Sequence, residues 1–311
     1  MRFTIAILSS ILILLSACKK DEEPIDDIQY GKNRFTTQVD GDEREYYVHV
    51  PASYNSNEPV PVVFMLHGSS GDGERFYNIS GWKKVGEKEN ILTVYPSSWS
   101  YCIIDDGKRK NTTKWNIYPA SWTYCANETP RDDIKFLRQV IDELDQRYNV
   151  DGKRRYLAGF SNGGAMAFRC AVEMSDIFAA IVESAGTYSG DSTFTPLRKI
   201  PLTFQVGNSD TRWFNTPFPL VAFDSLLTNS PRMQKLINAH IRTFDFETNH
   251  TTTGDPNKAL TATYKGIPDV DNRQFNYTLI YDLGHNYPNG KNHPLNGAEL
   301  NWEWMKQYVS P

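Results

Sequence analysis

Short, almost continuous apolar runs alternate along the chain with segments of helical periodicity, and this alternation restricts the fold more than any other feature. Runs of this length fit strands whose two faces are both covered, as in a parallel sheet. Strands that alternate with helices predict an α/β protein with a mostly parallel, doubly wound sheet and helices on both faces. The candidate strands are residues 60–66, 91–95, 155–159, 178–182, 202–206 and 277–281.

The rest of the chain predicts a hairpin near the beginning and two longer irregular segments. Residues 35–50 are expected to form a β-hairpin around Asp40-Gly41, a dipeptide that tolerates the positive φ angles of a tight turn. Residues 96–128 are rich in Ser, Asn, Trp and Tyr. They are too long for an ordinary connection, so we expect them to serve the function. Residues 211–268 form a variable region with one expected helix.

The first residues predict export. Arg2 precedes an apolar stretch at residues 5–15, which has the length of a signal peptide and is short for a membrane span. The stretch ends in Leu-Ser-Ala-Cys, which resembles the lipobox of bacterial lipoproteins. We therefore expect residues 1–17 to be a lipoprotein signal peptide and Cys18 to carry the lipid. Residues 18–33 are polar and acidic and predict a flexible tether, whereas residues 34–311 predict one large domain.

The N-terminus and the overall charge limit the expected partners. The lipid at Cys18 predicts an exported protein in the outer membrane of a bacterium, and it is the only expected contact with the membrane. Residues 19–23 resemble the charged tags that send some lipoproteins to the cell surface. The net charge of −4 argues against a nucleic-acid partner, because phosphates require a basic surface.

The other cysteines predict a disulfide and no metal site. Cys102 and Cys125 bracket a polar, turn-rich stretch, and an exported protein can oxidise such a pair. Cys170 falls within a predicted helix, where we expect it to be a buried apolar residue. The sequence has no CxxC pair and no His/Cys cluster with zinc spacing, so no metal is expected.

A candidate nucleophile lies where an apolar strand meets a helical run. Residues 159–163 read Gly-Phe-Ser-Asn-Gly and match G-x-S-x-G, a strand-to-helix turn that exposes the hydroxyl of its serine, Ser161. The helix that follows offers unpaired amides, so the amide of Asn162 is expected to face a developing oxyanion. The second donor is expected from the loop after residue 66, with Ser69 as the candidate and Ser70 as the alternative. His67 is expected to shape this loop.

In folds where a serine occupies such a strand-to-helix turn, the nucleophile, the acid and the histidine base follow in that order along the chain. This order predicts the base and the acid. The base is expected on the loop after the last strand, where His285 lies, and His293 is the alternative. The acid is expected between nucleophile and base, directly after a strand. Asp210 lies there, and Asp224 and Asp245 are its competitors. Its task would be to hold the imidazole tautomer and stabilise the imidazolium.

The motifs along most of residues 44–308 resemble the polyhydroxybutyrate-depolymerase/feruloyl-esterase family of secreted α/β-hydrolases. The Ser-Asn-Gly-Gly sequence at the elbow is fairly specific to this group. The resemblance implies an α/β-hydrolase fold with residues 34–311 as its catalytic domain, and it places the catalytic residues on Ser161, Asp210 and His285. The matching segments are residues 132–136, 148–151, 159–164 and 178–180, with Leu66-His67-Gly68, Gly81-Trp82, Tyr95-Pro96, Trp115-Asn116 and Gly284-His285-x-x-Pro288.

The resemblance implies hydrolysis of a carboxylic ester through an acyl-enzyme, without a cofactor. Family members cleave feruloyl or acetyl esters on plant xylan, or short-chain polyhydroxyalkanoates. The lipid anchor and the aromatic residues of segment 96–128 favour an ester linked to a plant polysaccharide. A polyester depolymerase and a non-catalytic, glycan-binding surface lipoprotein are the alternatives. The aromatic residues in question are Trp99, Trp115, Tyr118, Trp122 and Tyr124.

Overall fold

The structure is a computed structural model that describes residues 28–117, 122–186, 194–268 and 272–311. Within these ranges ten strands form one sheet in the order β1-β2-β4-β3-β8-β9-β10-β13-β12-β11. The six strands from β4 to β13 run parallel, and an antiparallel pair flanks them at each edge. The strands are β1 Gly31–Val39, β2 Asp42–Val50, β3 Val60–Leu66, β4 Leu92–Pro96, β8 Val150–Phe160, β9 Ala180–Ser184, β10 Leu202–Gly207, β11 Thr251–Asp255, β12 Ala259–Lys265 and β13 Gln274–Ile280.

Helices cover both faces of this sheet. Along β3 alternate side chains enter two separate apolar cores, with Phe64 in one and Met65 in the other. Helices α3, α4, α5 and α6 contribute to the first core, whereas α1, α2 and α7 contribute to the second. The predicted α/β class with helices on both faces is therefore confirmed. The helices are α1 Gly73–Ile79, α2 Trp82–Glu89, α3 Asp133–Arg147, α4 Asn162–Glu173, α5 Phe223–Asn229, α6 Pro231–Phe244 and α7 Gly297–Met305.

The apolar runs are buried because they form the parallel centre. Every residue of β3, β4, β9 and β10 is buried. A strand in this position buries apolar side chains on both faces, so its sequence loses the polar alternation of a half-exposed strand. The strand predictions from these runs are confirmed with shifts of a few residues at the ends.

The N-terminal boundary of the domain differs from the prediction. Strand β1 begins at Gly31, which pairs with Val50 of β2, so residues 31–33 belong to the sheet and not to a tether. Asn33 is buried, and its side-chain amide donates to the carbonyls of Gln29 and Gly31. Main-chain pairing thus orders residues whose polar side chains indicated a tether. The expected signal peptide, Cys18 and the tether up to residue 27 lie outside the described residues.

The segment 96–128 is more regular than its composition indicated. Strands β5 Trp99–Asp105, β6 Lys108–Lys114 and β7 Thr123–Tyr124 form a second, antiparallel sheet in the order β6-β5-β7. A disulfide joins Cys102 to Cys125, with Cα atoms 5.4 Å apart, and Cys170 is buried as a free thiol. This second sheet lies beside the loop that follows β3. The amide of Ser70 in that loop donates to the carbonyl of Thr113 in β6 at 3.0 Å.

The region 211–268 also has more structure than expected. It contains two helices, α5 and α6, and a β11–β12 hairpin that extends the large sheet beyond β13. None of the helices in the described ranges combines the length and apolarity that a membrane crossing requires.

Candidate active site

Ser161 lies at a strained turn between β8 and α4. It is the N-cap residue of α4 and has φ 54° and ψ −118°, a backbone conformation that residues other than glycine rarely adopt. The neighbouring glycines permit this turn. A Cβ at Gly159 would lie 2.0 Å from the carbonyl oxygen of Gly163, and one at Gly163 would lie 2.4 Å from that of His67. The turn therefore has the backbone geometry of a nucleophile elbow, with its serine at the edge of the sheet.

Ser161, His285 and Asp210 form one hydrogen-bonded chain. The Nε2 atom of His285 lies 2.9 Å from the Oγ of Ser161, and its Nδ1 lies 2.7 Å from the Oδ2 of Asp210. Asp210 is fully buried, and its Oδ1 accepts from the amide of Arg212 at 2.9 Å. A carboxylate only accepts hydrogen bonds, so the proton of the neutral imidazole is on Nδ1 and Nε2 is free to accept the serine proton.

The sheet brings the acid and the base to the same edge. Asp210 follows β10 and His285 follows β13, two adjacent parallel strands whose carboxyl ends lie side by side. Hydrogen bonds tie the two loops together. The amide of Ser209 donates to the carbonyl of Leu283 at 3.1 Å, and the amide of Asp282 donates to the Oδ1 of Asn208 at 2.7 Å.

The competing residues lie in other environments. His293 bonds through Nε2 to the carbonyl of Tyr281. Asp224 lies on α5 and accepts a hydrogen bond from Thr252. Asp245 ends α6 and forms an ion pair with Lys199 at 3.2 Å. None of these three side chains contacts the Ser161–His285 pair within the described part of the chain.

The loop after β3 places Ser69 in the same cavity as Ser161. The carbonyl of Gly68 accepts from the Nδ1 of His67 at 2.7 Å and from the amide of Gly71 at 3.1 Å. In a trans peptide the N–H points opposite to the C=O, so the Ser69 amide is directed away from the His67 ring. The amide of Ser70 is already bound to Thr113. Of the two candidates on this loop, Ser69 is therefore the one whose amide has no main-chain acceptor among the described residues, and it lines the same cavity as Ser161.

The other donor candidate, Asn162, occupies the first turn of α4, where main-chain amides lack a partner within the helix. Its side chain is used structurally. The Oδ1 of Asn162 accepts from the amide of Trp115 at 2.7 Å, and its Nδ2 donates to the Trp115 carbonyl at 3.4 Å. The elbow is thus fixed to the segment after β6, a contact that the sequence did not indicate.

His67 is a neutral, buried residue that holds the loop. Its Nε2 accepts from the amide of Ser98 at 2.9 Å, which leaves the ring proton on Nδ1 for the carbonyl of Gly68. Burial lowers the pKa of His67 to about 4, so the ring is uncharged at neutral pH. The structure therefore gives His67 the loop-shaping position that the sequence analysis expected.

The cleft above Ser161 has one apolar wall and one charged wall. The cavity measures 270 Å³. Phe76, Ile79 and Tyr287 supply apolar surface, and the ring of Phe160 lies 5.1 Å from that of His285. Arg212 also lines this cavity, and its Nη1 lies 3.5 Å from the Oγ of Ser161. Sequence reasoning missed Arg212, because nothing in its local pattern distinguishes it from other loop arginines.

The aromatic residues of segment 96–128 do not form one common wall. Trp115 is fully buried and donates from Nε1 to the carbonyl of His67. Trp99 packs against Arg131, and Tyr124 packs edge-on against Tyr101. Trp122 lines a second cavity that adjoins the site. Tyr118 lies outside the described residues.

Residues 37–217 match a family model described as a putative esterase. The chain belongs to this esterase family. Its relatives include the putative esterase NocK of Nocardia uniformis subsp. tsuyamanensis, which is 29% identical over 61% of this chain and 49% of its own length. The feruloyl esterase B of Piromyces equi is 25% identical over 46% of this chain and 24% of its own length. The poly(3-hydroxyalkanoate) depolymerase C of Paucimonas lemoignei is 27% identical over 46% of this chain and 31% of its own length.

These names confirm the predicted resemblance to the depolymerase and feruloyl-esterase family. In each case the matched part covers half or less of the curated relative. Among solved structures, an acetyl xylan esterase from Aspergillus awamori superposes with a TM-score of 0.57 and 16% identity, covering 88% of this chain and 99% of its own. This likeness shows that the chain has the α/β-hydrolase fold.

Proposed function

We propose that the protein is a serine esterase that hydrolyses carboxylic esters through an acyl-enzyme. The observation that carries this proposal is the continuous hydrogen-bonded chain from the Oγ of Ser161 through His285 to the buried Asp210. A serine hydroxyl becomes a nucleophile when an adjacent base takes its proton during attack. Membership of the esterase family supports the same reaction class.

In the acylation step, the Oγ of Ser161 bonds to the carbonyl carbon of the ester while its proton passes to the Nε2 of His285. Asp210 stabilises the resulting imidazolium. The amides of Asn162 and Ser69 donate to the oxyanion of the tetrahedral intermediate. As this intermediate collapses, the bond from the carbonyl carbon to the alcohol oxygen breaks, and the imidazolium gives its proton to the departing alcohol.

In the deacylation step, a water molecule takes the place of the alcohol. His285 accepts one proton from the water as its oxygen attacks the acyl carbon, and it returns that proton to the Oγ of Ser161 as the carboxylic acid leaves. These two steps consume water and restore the enzyme.

For the substrate, we propose a feruloyl or acetyl ester on plant polysaccharide. Two of the similar proteins bear the names feruloyl esterase and acetyl xylan esterase, and the apolar wall of the cleft suits an acyl chain or ring. A polyester depolymerase is the second candidate, since a poly(3-hydroxyalkanoate) depolymerase is a relative. Release of ferulate or acetate from arabinoxylan, compared with hydroxybutyrate release from polyhydroxybutyrate, separates the two.

The experiment that tests the reaction is an ester-substrate panel run on the wild type and Ser161→Ala. The proposal expects turnover of p-nitrophenyl acetate by the wild type and its loss in the variant. A non-catalytic glycan-binding lipoprotein would bind polysaccharide and turn over none of the esters. That second result, with both proteins folded, would overturn the proposal.

We also propose that the protein is exported and anchored in the outer membrane through a lipid on Cys18. The Leu-Ser-Ala-Cys sequence at residues 15–18 motivates this proposal. The disulfide between Cys102 and Cys125 supports export, because such bonds persist in oxidising compartments. Metabolic labelling with a radioactive fatty acid should mark the wild type and not Cys18→Ser. Equal labelling of both would exclude Cys18 as the site.

A further inference from the structure

The proposed active site is bordered by basic side chains, although the whole chain carries a net charge of −4. A second cavity of 350 Å³ adjoins the one above Ser161, and Ser69 and Arg212 line both. Among the described residues that line these two cavities, four are basic and one, Asp105, is acidic. The basic residues are Arg75, Lys110, Lys114 and Arg212.

Of these four, Arg75, Lys114 and Arg212 form no ion pair with an acidic side chain among the described residues, and Lys114 and Arg212 line the second cavity together. Arg212 places its Nη1 3.5 Å from the Oγ of Ser161. Lys114 is half-buried, donates from Nζ to the Oγ of Ser69 at 3.1 Å, and lies over the ring of Trp122 at 4.3 Å. Lys110 differs from them because it already forms an ion pair with Asp105 at 3.3 Å.

Lys114 forms no ion pair among the described residues, and keeping a half-buried ammonium group charged costs free energy unless an anion lies close to it. Burial has the largest effect and lowers the pKa of Lys114; Asp105 opposes this shift, whereas Lys110 and Arg212 add to it. A ligand with a negative charge would compensate Lys114 and Arg212 at once. A carboxylate fits best, because a planar guanidinium can bind both of its oxygens while an ammonium group donates to either one.

We propose that Arg212 and Lys114 form a subsite for a carboxylate on the substrate, beside the ester that Ser161 attacks. This inference rests on the proposed esterase function and narrows its substrate class to esters that also carry an acid. The carboxylate would lie in the second cavity, on the far side of Ser69 from His67. It belongs either to the acyl half, as in a dicarboxylic half ester, or to the alcohol half, as in an acetylated uronic acid.

The test compares two matched pairs of esters by kcat/KM. For the acyl half, the pair is monomethyl succinate and methyl butyrate. For the alcohol half, it is the acetyl esters of methyl glucuronoside and methyl glucoside. We expect the acid member of one pair to be preferred by about tenfold at low salt, since two close cations act on it with little screening. The pair that shows the preference identifies the half that carries the carboxylate.

Three single substitutions locate the effect. Arg212→Gln and Lys114→Gln should each lower the acid-to-neutral ratio by about threefold or more. Lys110→Gln removes one charge from the same cavity wall and should leave that ratio within about twofold, because Asp105 already neutralises Lys110. In the wild type, raising the salt concentration to about 0.5 M should also reduce the ratio, because the charges are then screened over a few ångströms.

If the wild type hydrolyses the acid and the neutral member of each pair with the same kcat/KM, the subsite proposal is wrong and the esterase proposal stands. A drop with Lys110→Gln as large as with Arg212→Gln would also overturn it, since the preference would then come from the general field of the cleft. If the wild type turns over none of the four esters or p-nitrophenyl acetate, the proposed function fails and this inference fails with it.

Discussion

Removal of the His67 side chain should reduce turnover much more than substrate binding. In the structure this residue contacts neither Ser161 nor His285 by a hydrogen bond, and it acts on the peptide between Gly68 and Ser69. His67→Ala deletes one of the two donors to the carbonyl of Gly68 and leaves only the amide of Gly71, so the Ser69 amide is held less firmly. Full loss of one oxyanion donor lowers kcat by about 10²–10³-fold, and we expect His67→Ala to reach the lower end of that range. KM should change little, because the oxyanion exists only in the transition state.

A second variant separates positioning from structural damage. His67→Ala also leaves the amide of Ser98 without its acceptor and opens a cavity, which together cost roughly 2–4 kcal/mol of stability. His67→Asn keeps a side-chain N–H close to the position of Nδ1, so it can still donate to the carbonyl of Gly68. We expect its kcat to lie within about tenfold of the wild type, although its stability falls as well.

The assay is steady-state hydrolysis of p-nitrophenyl acetate together with urea unfolding of each variant. His49→Gln serves as the control, since His49 is another buried histidine and bonds to Tyr77 and Glu87 away from the site. Unchanged kcat in a folded His67→Ala variant would refute the reasoning. So would equal losses of kcat in the alanine and asparagine variants.

Three further outcomes are expected. Asp210→Asn should lower kcat by about 10⁴-fold with the fold retained, because an amide favours the wrong tautomer of His285. Full activity of this variant would remove Asp210 from the mechanism. Cys102→Ser should lower the free energy of unfolding by about 3 kcal/mol in urea titrations, since the disulfide closes a separation of 23 residues, and an unchanged midpoint would contradict this. Burial holds the folded pKa of His67 near 4, below its ordinary value of 6.5, so the unfolded chain binds more protons between these values. The free energy of unfolding should therefore fall by about 3 kcal/mol as the pH drops from above 6.5 to 4. In His67→Asn this part of the pH dependence should be absent.

The parts that the sequence predicted well are those with a local physical signature. The apolar strands of the parallel centre lack polar alternation, and the glycines around Ser161 mark a turn that other residues would block. The contact between Asp210 and His285 could be expected from the sequence, because both residues follow strands that are adjacent in the sheet. These inferences needed no knowledge of side-chain contacts.

The features that the sequence did not reveal depend on long-range contacts. Strand β1 begins among polar residues because its main chain pairs with β2, and side-chain composition carries no sign of that pairing. The anchoring of Asn162 to Trp115 joins the first turn of α4 to a segment that lies 47 residues away in the sequence. The position of Arg212 beside Ser161 likewise depends on the tertiary path of the loop after β10.

The most direct test of the central claim is peptide mass spectrometry after treatment with a fluorophosphonate. We expect one covalent adduct on the peptide that contains Ser161, and loss of that adduct in His285→Ala, because the imidazole must take the serine proton. An adduct on a different serine, or ester turnover that persists while Ser161 stays unmodified, would contradict it.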